Sequence, residues 1–457
     1  MPMGMKEALS EYIPGRQVVV DKKTFTSYGL YFRFPSNPVD RAKDSGLESL
    51  KYVNFCSYCD TVFSESDINL HDQGKICEVC GRGVIETRHI YEPEGFSPRV
   101  RPAGQAEEGE EWEEERVYAT SAKFPIHSRG KTSSPIEEKG LGISKVQRIS
   151  NQQLRVINFG LENSGFSVCT KCGAVAREGS LSNPHDRPYP RDFRVRNVSW
   201  PEQCSGSTLN TTFGFEFPSD LAILRFPLSK SFDYAPGTDW FKAAAQSAVE
   251  ALVLAASRTL GIDSTELSGG FRTSPREVKD SLDVTGYLEL YLYDTTSGGA
   301  GFATKTYERF EEIIEDASNI MGGCTCTHSC YSCLRTYQNK LWHLKMDRHL
   351  GNAILYYAIS GEILGINPSN ISRLNDLLRS TMLLMEQGIK FSKNLQEELQ
   401  LISMNGRQVS YVIRPALAKR PLMLDSNSMS FSDFEVDNEL PRVAYTILNQ
   451  LNIIQGS

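Results

Sequence analysis

The sequence predicts a mixed α/β protein, in which an N-terminal β-rich zinc-ribbon region precedes an α/β zinc-binding domain. Three observations support this prediction: paired cysteines in the first half of the chain, a close group of four cysteines at 324–333, and helix and strand patterns that alternate after residue 239. The 457 residues suffice for roughly three domains, each with its own core. We place the boundaries so that they give a β-hairpin lead-in at 1–50, a zinc ribbon with an acidic loop at 51–115, a second zinc-knuckle region with a basic strip at 116–210, and the α/β zinc-binding domain at 211–457.

Cysteine usage and the N-terminus together predict a cytoplasmic protein with reduced thiols. The opening sequence, MPMGMKEALSEYIPG, has no basic region followed by an apolar stretch, and no run of about 18 apolar residues occurs in the sequence. Ten of the eleven cysteines fall in three close groups. In a reducing compartment such clustering favours metal ligation over disulfides.

The lead-in segment is predicted to form a short helix and then a β-hairpin. Residues 3–12 have a helical pattern that ends at Pro14 and Gly15. The strands QVVVD and TFTSYGLYF lie on either side of an Asp21-Lys22-Lys23 turn. The segment opens with so little preamble that we expect it to continue a domain encoded upstream.

The first metal candidate, which we call the ribbon cluster, has the spacing C-x2-C-x17-C-x2-C. Its members are Cys56, Cys59, Cys77 and Cys80. Each C-x2-C pair can form a turn that presents two thiolates, and the spacer fits a zinc ribbon. Gly81 and Gly83 supply the close backbone approach that a tight knuckle requires. The alternative is that the four cysteines are unligated core residues.

An acidic run, EEGEEWEEE at 107–115, accounts for the net charge of −7, because its seven glutamates leave the rest of the chain neutral. A block of like charge usually repels itself into a solvated loop. The more specific alternative is that the run mimics DNA and covers a basic groove until substrate displaces it. The net charge therefore does not exclude a nucleic-acid partner.

The second metal candidate, the knuckle cluster, combines a C-x2-C pair with more distant donors. Its members are Cys169, Cys172, His185 and Cys204. Three thiolates require a fourth ligand for a tetrahedral site, and His185 is the nearest nitrogen donor. The alternative is a surface histidine with Cys204 simply buried.

A basic strip lies between His185 and Cys204. Arginines alternate here with aromatic residues: Arg187, Tyr189, Arg191, Phe193, Arg194 and Arg196. Arginine forks suit phosphates and flat rings stack on exposed bases, so the strip is a candidate nucleic-acid contact. A solvated strand face is the alternative.

From residue 239 the pattern is that of an α/β domain. Asp239 is the predicted N-cap of an alanine-rich, largely buried helix that ends at Gly261. Residues 287–294 indicate a buried strand, and a helix is predicted over 303–319. The glycine-rich turn between them would allow either a phosphate to meet backbone N–H groups or tight packing of strand against helix.

The last third of the chain is predicted to complete this domain. We expect a helix over 334–359, one or two amphipathic helices over 368–403, a strand at QVSYVI and a final helix from about residue 438.

The third metal candidate, the loop cluster, has the spacing C-x-C-x3-C-x2-C. Its members are Cys324, Cys326, Cys330 and Cys333. Tetrahedral Zn²⁺ takes four soft donors at about 2.3 Å, and short gaps let a tight turn present them. Disulfides would be the alternative in a secreted protein. The three clusters together predict two or three structural Zn²⁺ ions.

Motifs for catalysis are missing from the sequence. Gly130-Lys131-Thr132 fits the end of a phosphate-binding P-loop, but the glycine that G-x4-G-K-[ST] requires at position 125 is Pro125. We find no acidic DExx box and no set of carboxylates that spacing would assemble into a nuclease site. We therefore predict no enzymatic activity of this chain's own.

Three stretches of the α/β domain resemble a known family. They are LELYLYDTTSGGAGFA, CTCTHSCYSCL and RTYQNKLWHLKMDRHLGNAI. They are similar to the MrfA-like zinc-binding domain at the C-terminus of certain DEAD/DEAH-box helicases, which also forms much of the DrmB-like component of DISARM anti-phage systems. The resemblance is specific over about 205–360. It implies that the loop cluster binds structural zinc.

In those helicases the domain accompanies a motor, which this sequence does not contain. The resemblance therefore implies an accessory subunit that binds DNA beside a separately encoded superfamily 2 helicase or ATPase, in anti-phage defence or DNA repair. A zinc-stabilised protein-interaction scaffold without nucleic-acid binding of its own is the alternative, and a metal-dependent nuclease is the third hypothesis.

Overall fold

The structure is a computed structural model that describes residues 5–20, 23–31, 50–64, 73–98, 119–120, 122–126, 136–176, 179–188, 203–277, 280–394, 399–404, 406–421 and 427–453. The chain divides into two units. The ribbon unit comprises 1–135, 149–220 and 296–300, and the helical unit comprises 136–148, 221–295 and 301–457.

Most of the helices lie in the helical unit, and the first in the chain lies in the ribbon unit. In chain order they are α1 Met5–Glu11, α2 Asp239–Leu260, α3 Phe302–Glu308, α4 Phe310–Gly322, α5 Arg348–Ser360, α6 Pro368–Met385, α7 Asp433–Asn438 and α8 Leu440–Ile453.

Strands occur in both units. In chain order they are β1 Gln17–Val20, β2 Lys23–Leu30, β3 Lys51–Cys56, β4 Val62–Phe63, β5 Ile85–Tyr91, β6 Phe96–Pro98, β7 Ile136–Leu141, β8 Ser144–Asn158, β9 Phe166–Cys169, β10 Val175–Ala176, β11 His185–Asp186, β12 Gln203–Cys204, β13 Thr208–Ser229, β14 Leu267–Pro275, β15 Val284–Asp294, β16 Lys390–Asn394, β17 Leu399–Met404, β18 Arg407–Arg414 and β19 Ser428–Ser432. The mixed α/β class predicted from the sequence is confirmed.

The ribbon unit is built from short, mainly antiparallel strands. β1 and β2 form the predicted hairpin, and β6 pairs with the other edge of β2; Asp21 and Lys22 of the predicted turn lie outside the described residues. β3 pairs with β4 and β5, and β5 lies parallel to the start of β13. A small apolar core forms between β3, β4 and β5 and the end of β8, with members such as Phe55, Ile157 and Phe159.

The helical unit has an antiparallel sheet in which β15 pairs with the second half of β13 on one side and with β14 on the other. α2 packs on this sheet, and its alanines, including Ala244, Ala251 and Ala255, are fully buried because small side chains permit close packing. The predicted end at Gly261 is confirmed by its left-handed conformation, with φ at 66°. The N-cap is Thr238, one residue before the predicted Asp239, which lies in the first turn.

A second helix and sheet layer completes the helical unit. β16, β17, β18 and β19 form a four-stranded sheet in that order, and α6 and α8 cover it. The core between them includes Leu378, Tyr411 and Ile447. The predicted strand at QVSYVI lies within β18, and the predicted final helix corresponds to α8.

Two predicted helices are shorter than expected. The helix predicted over 334–359 begins only at Arg348, because the side chain of Asn339 binds Thr336 N and Leu334 O, each at 2.8 Å, and folds the preceding residues into a loop. The helical prediction over 368–403 is wrong beyond Met385, where the chain forms β16 and β17. Cross-strand pairing with β18, which no local pattern reveals, fixes this segment as a strand.

Among the described residues, no helix is long and apolar enough to cross a membrane.

Candidate metal centres

The ribbon cluster lies where β3 ends and a second turn follows at 77–80. Its four sulfur atoms lie within 4.8 Å of one another. The Sγ atoms of Cys56 and Cys80 are 3.6 Å apart, and those of Cys59 and Cys77 are 3.9 Å apart. The spacer of seventeen residues predicted from the sequence thus returns the second pair to the first.

Backbone groups around the ribbon cluster point at its sulfur atoms. The N–H groups of Tyr58 and Gly83 donate to the Sγ atoms of Cys56 and Cys80, at 3.4 and 3.3 Å respectively. A Cβ atom on Gly83 would lie against Cys56 Sγ and 2.6 Å from the Cβ of Tyr58. Gly83 is therefore required for the close approach predicted from the sequence. Gly81 has a φ of 65°, which also favours glycine.

The knuckle cluster is the most buried of the three, because all four of its side chains are buried. Strand pairing brings the distant donors together, since His185 in β11 lies opposite Cys204 in β12. The Sγ atoms of Cys169 and Cys204 are 3.9 Å apart, and Cys172 Sγ lies 3.3 Å from His185 Nε2. The sequence predicts this grouping without a close spacing of all four residues. In the structure their ligand atoms lie around one centre.

The imidazole of His185 is oriented for metal binding. Its Nδ1 lies 3.0 Å from the backbone oxygen of Ser182, so the Nδ1–H donates there and the Nε2 lone pair faces the cysteines. Gly206 supports the same site, because a Cβ there would lie 2.6 Å from Cys169 Sγ. Sequence reasoning missed Gly206, since its role depends on a contact across the fold.

The loop cluster lies in the segment between α4 and α5. Its Sγ atoms are separated by 3.5 Å for Cys324 and Cys326, 3.6 Å for Cys324 and Cys330, and 3.8 Å for Cys330 and Cys333. Cys333 is buried, whereas the other three are half-buried. This cluster is therefore more open to water than the knuckle cluster.

These distances fit zinc and do not fit disulfides. Sulfur ligands at about 2.3 Å from a tetrahedral Zn²⁺ lie about 3.8 Å from one another. A disulfide would bring two sulfur atoms to about 2.05 Å, and none of the eleven cysteines is in a disulfide. All three clusters thus have the donor set and the spacing of structural zinc sites.

Hydrogen bonds and burial shift the pKa values of individual thiols apart. The side chain of Cys59 lowers the pKa of Cys56. In the loop cluster, the backbone N–H of Ser332 lowers the pKa of Cys330 to about 6, whereas burial raises the pKa of Cys326 to about 12. Zinc takes thiolate ligands, so metal binding to either cluster releases protons.

Arg348, at the start of α5, connects that helix to the loop cluster. Its guanidinium donates to the backbone oxygens of Cys326 at 2.7 Å and Met321 at 3.0 Å. The neighbouring Asp347 caps α5 with one carboxylate oxygen and places the other 3.2 Å from His328 Nδ1. The hydrogen bond to Asp347 raises the pKa of His328. Sequence reasoning missed both roles, although an aspartate at the N-cap position is a usable signal of a helix start.

The glycine-rich turn does not present its N–H groups to a ligand. The carboxylate of Asp294, fully buried at the end of β15, accepts hydrogen bonds from Gly301 N and Ala303 N, both at 2.8 Å. This internal anion takes the place that a phosphate would occupy at the start of α3. Of the two predicted uses of the turn, close packing of strand and helix is the one that the structure supports.

Most of the basic strip lies outside the described residues, namely Tyr189, Arg191, Phe193, Arg194 and Arg196. Arg187 is described, and its Nε donates to the backbone oxygen of Gln203 at 3.0 Å. The acidic run at 107–115 also lies outside the described part of the chain.

Clustered donors occur in both units, cysteines with His185 in the ribbon unit and cysteines alone in the helical unit, and they define an α/β protein with sites suited to structural zinc. The family model of the MrfA Zn-binding domain matches residues 248–334, which include the loop cluster. Over this segment the chain is therefore similar to the MrfA Zn-binding domain family, the family that it resembles in sequence.

Two curated relatives extend the comparison. Druantia protein DruE of Escherichia coli (strain UMEA 4076-1) is 32% identical over 438 residues, which cover 91% of this chain and 22% of DruE. The uncharacterized ATP-dependent helicase YprA of Bacillus subtilis (strain 168) is 38% identical over 52 residues, or 11% of this chain and 7% of YprA. The chain thus spans about a fifth of the length of DruE.

Two solved structures are similar in part. The DUF1998 helicase MrfA bound to DNA matches 50% of this chain and 25% of its own, with a TM-score of 0.26 and 16% identity. The same helicase bound to DNA and AMPPNP matches 52% of this chain and 22% of its own, with a TM-score of 0.21 and 13% identity.

Proposed function

We propose that this chain is a non-catalytic, zinc-binding and DNA-binding accessory module of a superfamily 2 helicase, acting in the cytoplasm in anti-phage defence or DNA repair. The observation that carries the proposal is the convergence of the four thiols of the loop cluster inside a segment that matches the MrfA Zn-binding domain. The likeness to DruE over 91% of this chain extends the relationship beyond that segment. YprA is named as an ATP-dependent helicase, and the similarity of this chain to it supports a helicase as the motor.

The proposed metal ligands are the members of the three clusters. They are Cys56, Cys59, Cys77 and Cys80; Cys169, Cys172, His185 and Cys204; and Cys324, Cys326, Cys330 and Cys333. Bound Zn²⁺ would be structural, since four protein ligands leave no open position for substrate. Each ion would contribute on the order of 10 kcal/mol to folding.

In this proposal the helicase is a separately encoded subunit, and the chain guides the strand that leaves the motor. The basic strip is one proposed contact, because its arginines suit phosphates and its rings suit exposed bases. Contacts of this kind are independent of sequence and weaken steeply as salt rises.

The test combines metal analysis with strand binding. Zinc per chain is measured by mass spectrometry of the purified protein, and binding of a labelled oligonucleotide is measured at low and moderate salt, with and without the helicase. We expect two or three zinc ions per chain and salt-sensitive binding by the chain alone. An Arg191→Gln/Arg194→Gln variant should bind more weakly, whereas Arg442→Gln on the exposed side of α8 serves as the control.

Two results would overturn parts of the proposal. If the protein contains no zinc after purification under reducing conditions, the proposal loses its basis. Zinc-loaded protein that binds a strand only when the helicase is added would instead identify the chain as a zinc-stabilised protein-interaction scaffold.

A further inference from the structure

The residues around the loop cluster display exposed aromatic, apolar and cationic side chains. We call this set the zinc-loop surface; its members are Tyr331, Tyr337, Lys340, Leu344 and Lys345. Tyr331 is 72% exposed, Tyr337 79% and Leu344 96%. Large apolar side chains rarely gather in water within so short a segment unless they contact a ligand or partner.

The backbone that carries this surface is held in place. Asn339, which is 5% exposed, donates to Glu250 Oε2 in α2 at 2.8 Å and to the backbone oxygen of Leu334 at 2.8 Å. Its own side-chain oxygen accepts from Thr336 N at 2.8 Å. The loop is therefore fixed to α2 on one side and to the cysteine turn on the other, and its exposed side chains are preorganised.

Side-chain contacts link Tyr331 to the turn that carries Tyr337. The ring of Tyr331 lies edge-on to His343 at 5.4 Å between centroids. The Nε2 of His343 lies 2.9 Å from the backbone oxygen of Thr336, directly before Tyr337. The ammonium of Lys340 lies 5.1 Å from the centre of the Tyr337 ring. Aromatic faces and cations therefore alternate along one ordered loop.

The charge of this segment is opposite to that of the whole chain. Residues 324–346 contain Arg335, Lys340 and Lys345 and no aspartate or glutamate, whereas the chain carries a net charge of −7. An acid-free segment with exposed cations complements a polyanion. Exposed tyrosine rings suit unpaired bases, which have open faces for stacking.

We propose that the zinc-loop surface binds a single nucleic-acid strand, with Tyr331 and Tyr337 stacking on unpaired bases and Lys340 and Lys345 contacting phosphates. This proposal deepens the DNA-binding role proposed above and rests on it. It places strand contact on the zinc-binding domain itself, in addition to the basic strip. The same chemistry serves DNA and RNA, since neither stacking nor phosphate contact reads the sugar.

The test measures fluorescence anisotropy of labelled dT20, rU20 and a 20-base-pair duplex with the full chain loaded with zinc. Tyr331→Ala and Tyr337→Ala should each weaken dT20 binding at least about fivefold, because one stacked base contributes on that order. Lys340→Gln and Lys345→Gln should each lower the slope of log K against log salt by about 0.7. The duplex should bind more weakly than dT20, because its bases are already stacked.

Matched controls separate loss of contact from loss of fold. Tyr445→Ala removes a tyrosine that is 65% exposed on α8 and should leave binding unchanged. Tyr331→Phe and Tyr337→Phe keep the stacking face and should bind nearly as well as the wild type. Zinc content and melting temperature of each variant verify that the loop cluster is intact.

The outcomes distinguish this proposal from the broader function. If the wild-type chain binds dT20 and the Tyr331→Ala/Tyr337→Ala variant binds it equally well, the zinc-loop surface is not the contact, while the accessory function stands. If that variant loses association with the helicase instead of the strand, the surface docks protein and the proposal is wrong. If the wild-type chain binds no strand, the DNA-binding role itself fails.

Discussion

Gly83 shows how a residue with no side chain can determine a metal site. A Cβ at this position would lie against Cys56 Sγ and 2.6 Å from the Cβ of Tyr58, both in the facing knuckle of the ribbon cluster. Neither neighbour can move without shifting a proposed zinc ligand or the turn that presents it. The backbone N–H of Gly83 also donates to Cys80 Sγ at 3.3 Å.

Gly83→Ala is therefore expected to destabilise the ribbon unit by about 1–3 kcal/mol and to lower zinc occupancy of the ribbon cluster, because overpacking forces the two knuckles apart. Zinc content per chain and thermal unfolding followed by circular dichroism would measure both effects. Gly95→Ala is the matched control, since its Cβ would have its nearest neighbour at 3.5 Å, an ordinary contact distance. Equal zinc content and equal melting temperatures in the two variants would contradict this account.

The candidate ligands could be predicted from the sequence to the extent that they lie close together in it. The loop cluster has short gaps throughout, and each C-x2-C pair of the ribbon cluster has one, so local turns bring these thiols together. The knuckle cluster is different, because His185 and Cys204 meet its C-x2-C pair only through the pairing of β11 with β12. Gly206 and Ser182 also contact this site, and nothing in the local sequence marks either residue.

At the scale of elements, the Arg348 side chain connects the loop cluster to α5, beside the contact of Asp347 with His328. Arg348 donates to the backbone oxygens of Cys326 and Met321, which lie in the cysteine turn and at the end of α4. Its own backbone N–H donates to the oxygen of His328 at 2.8 Å. The guanidinium of Arg348 thus contacts both the end of α4 and the cysteine turn from the first residue of α5.

Arg348→Ala is expected to destabilise the helical unit by about 1.5–3 kcal/mol, the usual contribution of hydrogen bonds to a charged group, and to speed zinc loss from the loop cluster. Chemical denaturation and the rate of zinc transfer to a chromogenic chelator measure the two effects. Arg442→Ala is the control, because Arg442 pairs with Glu435 and Glu439 on an exposed helix face and should contribute less than about 1 kcal/mol. If Arg348→Ala behaves like Arg442→Ala, the guanidinium does not hold the cysteine turn.

Sequence patterns did not predict where α5 begins or where α6 ends. Helical periodicity continues through 334–347, yet Asn339 folds this stretch into a loop by binding Glu250 in α2, which is distant in sequence. β16 and β17 likewise form where cross-strand partners, such as Ile402 opposite Val409, are available. In both segments tertiary hydrogen bonding outweighs local propensity.

At the scale of the whole molecule, the three clusters differ in how deeply they are buried. All four side chains of the knuckle cluster are buried, two of the four are buried in the ribbon cluster, and only Cys333 is buried in the loop cluster. A chelator removes zinc by reaching a ligand that has opened locally, and exposed ligands open at a lower free energy. The order of zinc release should therefore follow exposure.

We expect zinc loss to excess chelator to occur in separate phases, with the loop cluster first, the ribbon cluster next and the knuckle cluster last. Stopped-flow measurement with a chromogenic zinc chelator at neutral pH would resolve the phases. Cys330→Ser should remove the fast phase, and Cys172→Ser should remove the slow one. Lower pH should speed every phase, because protons compete with zinc for the thiolates.

Ser332→Ala controls for changes near the loop cluster that leave its thiols intact, since Ser332 acts on Cys330 through its backbone N–H. It should release zinc at the wild-type rate. A single phase for all zinc would mean that the two units lose their metal together, and so that global unfolding limits release. A slow phase that persists in Cys172→Ser would show that the knuckle cluster is not the most protected site, and exposure would then not determine zinc retention in this protein.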